Sequence, residues 1–249
     1  VKHCAPEETV HLDKLRELLR ISQWPELRQE LRSADRMLTP EQYAEAGVMA
    51  LQAGLPELAA RWAEQAGENQ LQAAAWLRTG QHQAVLDTLS GDDYRTLALR
   101  ARAYLLAGNR PAAQELAAQA HAQAFVAGDA PALIAAIALL GELDLRGALE
   151  SGSRTGLMSA LNILAEGLKI AEIVNEAADP HILALIALTQ QHIQNGPKAQ
   201  ATAAKALDRS LAFSPSSVLA LTVLGRHEEA QGQAEAGTLA DSWWTWARA

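Results

Sequence analysis

Apolar residues recur along this chain at three- and four-residue intervals, the spacing that gathers them on one side of a helix. Leu12, Leu15, Leu18 and Leu19 make such a face between His11 and Ile21, and a second short helix is expected over Pro25 to Arg32. Thr39-Pro40-Glu41-Gln42 reads as a helix start, with a hydroxyl cap, a proline in the first turn and an acid near the positive helix end. Asp92 or Asp93 is placed to cap a helix from Tyr94 to Leu106, and Gly128-Asp129 marks the next break.

Beyond that break the pattern becomes more apolar. Leu157, Leu161, Leu164, Leu168 and Ala171 form one stripe, and Met158, Ile163, Ile170, Ile173 and Val174 widen it around the helix. A helix apolar on most sides needs more than one neighbour. Burial within a stack of helices is the expectation; a homodimer interface through helices in 130–174 is the alternative. Gly147 to Gly156 is the most polar stretch here and reads as a connector, since it lacks the spacing and lysine of a phosphate-cradling loop. The chain is therefore divided at 1–128 and 129–249, with the two parts expected to be continuous.

Two stretches of the first part superpose without a gap. Tyr43, Gly47 and Leu51 precede Gly54, and Ala59, Trp62 and Ala66 follow it; Leu97, Ala101 and Leu105 precede Gly108, and Ala113, Leu116 and Ala120 follow it. Each glycine can end a helix in the left-handed region, and Pro56 and Pro111 then fall in the first turn of the next helix. Small residues on the facing sides let the backbones approach.

This order of small and bulky residues resembles the tetratricopeptide repeat family over residues 40–125, with Gly47 and Ala101 at its small position and Ala59, Ala66, Ala113 and Ala120 at its alanines. The family period is about 34 residues, whereas these units are displaced from Gly54 to Gly108; Gln70 to Gly80 followed by Gln81 to Leu89 looks like a clipped helix pair between them. The resemblance implies an all-α fold, a right-handed superhelical stack of antiparallel helix pairs that becomes irregular in the C-terminal half. It further implies that the first helix of each pair lines a concave groove for a protein or an extended peptide. On that register Gln70, Arg78, Arg95, Arg102 and Leu105 are the candidate peptide-binding residues. Arginine suits an acidic group because its planar fork grips a carboxylate with two hydrogen bonds; the competing reading is that Arg78, Arg95 and Arg102 pair with neighbouring acids. The lysine and asparagine clamp of chaperone-binding members is not matched.

Composition adds limits to this picture. Alanine, leucine, glutamine, glutamate and arginine, all good helix formers, dominate, while only two Phe and three Tyr occur. The net charge of −8 argues against nucleic acid as a partner of this chain alone. Cys4 is the only cysteine, so no internal disulfide forms and a reducing, cytoplasmic location is expected. The opening Val-Lys-His-Cys reads as neither a secretion signal nor a lipidation site. The most apolar run, Pro131 to Leu140, is too short to span a bilayer and is followed by Glu142 and Asp144, so a buried helix is expected there.

Catalytic patterns are poor. His227-Glu228-Glu229 lacks the second histidine of a zinc-protease helix, His181 and His192 stand about three turns apart, and His3 and Cys4 have no defined partners. No catalytic residue, metal site or cofactor is expected. The remaining unusual feature is Trp243-Trp244-Thr245-Trp246, which holds half of the six tryptophans. On a terminal helix Trp243, Trp244 and Trp246 would cover the open end of a helical stack; alternatively they anchor a partner. The leading expectation is a non-catalytic scaffold for a protein or peptide. The alternatives are a sensory or regulatory helical domain of a larger bacterial transcription regulator, and an all-α enzyme whose site is assembled from distant residues.

Overall fold

The computed structural model describes residues 7–34, 38–174 and 177–248. His3 and Cys4 lie outside the described residues. Among the described residues the protein is all-helical, with fourteen α-helices and no strand. In chain order these are α1 (Glu7–Arg20), α2 (Trp24–Ala34), α3 (Tyr43–Gln52), α4 (Pro56–Ala66), α5 (Asn69–Arg78), α6 (His82–Thr88) and α7 (Tyr94–Leu106), followed by α8 (Arg110–Ala127), α9 (Ala130–Ser151), α10 (Arg154–Ile173), α11 (Pro180–His192), α12 (Gly196–Arg209), α13 (Pro215–Val223) and α14 (His227–Ala236). Short 3-10 turns occupy Pro40–Gln42, Asp241–Trp243 and Thr245–Arg248. Among the described residues no helix is long and apolar enough to cross a membrane.

Local chemistry sets most of the boundaries. Gly54 and Gly108 take φ of +69° and +82° at equivalent turns, where a Cβ would clash with the backbone. Asp93 caps α7 by accepting from the amides of Arg95 and Thr96, and Asp129 caps α9 through the amide of Ala132. The clipped pair of the sequence is α5 and α6. The polar stretch from Gly147 is not a connector, however. Helix α9 runs through Glu150 to Ser151, because Ala148 and Leu149 anchor its last turn in the core; the polar residues merely face water, and the break is confined to Gly152 and Ser153.

Consecutive helices pack on one another: α3 on α4, α7 on α8, α9 on α10, α11 on α12. In addition each odd-numbered helix touches the next, α3 to α5, α5 to α7, α7 to α9, α9 to α11 and α11 to α13, so that these helices form one row. The largest apolar cluster extends from Ala73 to Ala247 with no interruption at Gly128. Within α10 the expected stripe is core: Leu157, Leu164 and Ala171 are buried and Leu161 and Leu168 pack against them. Met158, Ile173 and Val174 face outward, Ile173 at 82% exposure.

Small residues permit these contacts. Gly141 of α9 faces α10 so closely that a Cβ there would lie 2.6 Å from Cγ of buried Leu164. The first and last parts of the chain also meet. Trp24 of α2 packs edge-on against Phe213, with ring centroids 6.4 Å apart; Arg28 lies 4.5 Å over the same ring and donates to the Ala236 carbonyl at 2.7 Å.

Gly141→Ala is expected to cost about 1–3 kcal/mol through overpacking against Leu164. Gly232→Ala, in an exposed part of α14 with open space around it, is expected to stabilise by about 0.5–1 kcal/mol through helix propensity. Urea denaturation of the two variants checks this, and equal midpoints would contradict the packing account.

Candidate functional site

The row of odd helices converges on one buried carboxylate. Glu142 of α9 has no exposed surface. Its Oε2 accepts from Arg102 Nη1 of α7 and, at 3.2 Å, from His181 Nε2 of α11; its Oε1 accepts from Arg146 Nη2 at 2.6 Å and from Arg146 Nε at 3.0 Å. Arg146 sits one turn along α9, the spacing that brings two side chains together on a helix. Burial pushes the Glu142 carboxyl up, but the charges of Arg102 and Arg146 and the His181 hydrogen bond outweigh burial and hold it well below the usual carboxylate range. The carboxylate is therefore locked ionised and spent on cations, which suits it to positioning Arg102 and Arg146 rather than to moving protons.

The tryptophan segment lies against this network. It does not continue as a terminal α-helix but folds into the two 3-10 turns, Asp241–Trp243 and Thr245–Arg248. The amide of Ala240 donates to the Arg78 carbonyl at 2.8 Å, and Trp243 Nε1 donates to the Leu77 carbonyl at 2.6 Å, so the segment is tied to the end of α5. The Trp243 ring takes Arg102 at 4.9 Å and Arg78 at 5.9 Å, while Trp246 takes Arg146 at 4.3 Å and Trp244 takes Arg248 at 4.0 Å. These separations are within cation–π range. Arg146 Nη2 also donates to the Ser242 carbonyl at 3.1 Å. Trp243 and Trp244 are buried and Trp246 is half-buried.

The five candidate groove residues separate into three places. Arg78 and Arg102 come together over Trp243. Gln70 and Arg95 lie beside the start of α7, where Gln70 Nε2 stands 3.4 Å from both Asp93 and Thr96, and exposed Arg95 pairs with Asp129 at 2.8 Å. Leu105 is core: it follows Ala101 by one turn, on the side of α7 packed with Ala113 and Ala117 of α8 and Leu139 and Leu143 of α9. Pairing with an acid thus describes Arg95 and Arg102, whereas no carboxylate of the described residues pairs with Arg78. Sequence reading did not single out Glu142 or Arg146 as site residues. Their i,i+4 spacing was the available signal, but Glu142 was read together with Asp144 only as the polar limit of an apolar run.

Two clefts flank the network. One, of about 250 Å³, is bordered by Arg78, Arg102, Asp179, His181, Ser216 and Trp243. The other, of about 290 Å³, is bordered by Arg146, Leu149, Glu150, His192 and Trp246, where burial pushes the His192 imidazole down. Among the described residues no group of three or more His, Cys, Asp or Glu is arranged to hold a metal ion.

Glu142→Gln leaves two inward guanidiniums without a counter-charge and is expected to cost about 3–5 kcal/mol. Because folding depresses the carboxyl, its stabilisation is full above the ordinary value of 4.5 and is lost as pH falls toward the folded value. The variant should therefore show a shallower loss of stability on acidification below that value. Urea titrations at neutral and acidic pH check both points, and identical curves would refute them. No protein-family model matches the chain, and no curated protein matches it significantly.

Proposed function

We propose that this chain is a tetratricopeptide-like, superhelical interaction module that binds a protein or peptide and performs no catalysis of its own. The reading is carried by one observation: the chain's own residues 238–248 lie across three consecutive odd helices, held by the end of α5, Arg102 of α7 and Arg146 of α9. A face that receives a polypeptide segment in cis has the backbone acceptors, cationic side chains and small residues needed to receive one in trans. The row of odd helices and the paired Gly54 and Gly108 turns support the superhelical arrangement, in which the first helix of each pair faces inward. The partner approaches the part of the row that the segment leaves open, beside Gln70 and Arg95. There half-buried Gln70 and exposed Arg95 flank the start of α7.

A photo-reactive residue placed singly at Gln70 or Arg95 is expected to capture the same partner species in cells. The same group at Gln114 or Gln119, exposed on α8, should not. Equal capture from all four positions, or none from the first two, would sink the assignment of the binding face.

A further inference from the structure

Arg78 differs from the two arginines nearest the terminal segment in having no counter-charge among the described residues. Arg102 and Arg146 share Glu142, and Arg146 also reaches the Ser242 carbonyl. Arg78 is half-buried at the end of α5, and among the described residues no carboxylate, carbonyl or hydroxyl accepts from its guanidinium. Its only partner is the Trp243 face, near the limit of cation–π range and already occupied more closely by Arg102. Burial and the like charge of Arg102 push its guanidinium down to about 10, which still leaves it positive at neutral pH. A half-buried cation without a counter-charge is only partly compensated by the water that reaches it. Its guanidinium donors are open to a compensating group from outside the chain.

The surroundings say what that group is. Arg78 borders the cleft of about 250 Å³ together with Arg102, His181, Ser216 and Asp179. Of the two acids nearby, Glu142 is engaged through both oxygens and Asp179 through one. Glu142 accepts from three cationic or polar side chains, and Asp179 accepts from the amides of His181 and Ile182 at the start of α11. Helix α13 also begins at this cleft, and its positive end is capped only by the neutral hydroxyl of Ser214. Arg78 and the start of α13 therefore border one small space with an indole for a wall and the Asp179 carboxylate at its edge.

We propose that this cleft is a binding site for a small oxyanion-bearing molecule, its carboxylate or phosphate group held by Arg78 beside Trp243. A guanidinium fork matches two oxygens of either group, and a cleft of about 250 Å³ has room for a small molecule. The site is distinct from the face beside Gln70 and Arg95, so failure of cross-linking there leaves the anion cleft standing, and the reverse also holds.

The experiment uses the full chain with sodium phosphate and sodium succinate as probes, each against sodium chloride of matched ionic strength. Binding is read by calorimetry and by the melting temperature. The expected result is saturable binding of phosphate, succinate or both, with a melting temperature above that in matched chloride; which probe binds identifies the source of the oxyanion. Arg78→Met, which keeps the apolar stem, should bind about tenfold or more weakly and melt at or above the wild-type temperature in chloride. Arg78→Lys should keep part of the affinity. Absence of saturable binding by both probes, unchanged binding by Arg78→Met, or a lower melting temperature of that variant in chloride would each overturn the proposal. The last outcome would show that the guanidinium serves the fold.

Discussion

A carboxylate that water cannot reach must be answered by the protein itself, and Glu142 is such a group. Its answer comes from three helices: Arg102 on α7, Arg146 on its own α9 and His181 on α11. The two arginines pinned in this way then stack on Trp243 and Trp246, which fixes the terminal segment across the helices. A single ionised side chain thus sets the relative placement of three helices and of the polypeptide that covers them. Hydrophobic burial alone would not do this, because apolar contacts are non-directional and permit sliding. The bidentate geometry of Arg146 on Glu142 is directional.

Around this polar centre the helices approach through alanine and glycine. Ala59, Ala63, Ala101, Ala113, Ala117 and Ala120 lie buried at helix contacts, and Gly141 and Gly167 admit Leu164, Ile137 and Ile182 within distances that a Cβ would forbid. Close approach multiplies weak dispersion contacts without requiring large aromatic side chains, which is how a chain with so few Phe and Tyr builds an extended core. Trp62, fully buried in one cluster with Ala59, and the buried Trp243 and Trp244 are exceptions.

Much of this order was legible in the sequence, for reasons that differ between fold and site. Helix starts and stops depend on local chemistry, so Asp93, Gly54, Gly108 and Gly128 announced them correctly. The stretch at Gly147 misled because polarity marks exposure as well as chain breaks, and only the burial of Ala148 and Leu149 distinguishes the two. The site was harder to read. Arg78 and Arg102 were singled out from their helix positions, but their meeting over Trp243 joins residues far apart in the chain. Leu105 was placed on the groove because a one-dimensional register cannot tell which side of α7 meets α8 and α9. The role of Glu142 went unread since burial of an acid is visible only when its cations are brought around it.

The contact of Trp24 and Arg28 with Phe213 and Ala236 has a consequence for how such a protein can change. An open array of helix pairs gains or loses a unit with local effects only. Here α2 meets the end of α14 and the turn before α13 across 208 positions of chain, so inserting or deleting one pair would separate the two sides of that seam. An added or deleted helix pair would therefore have to break this seam as well as its local contacts.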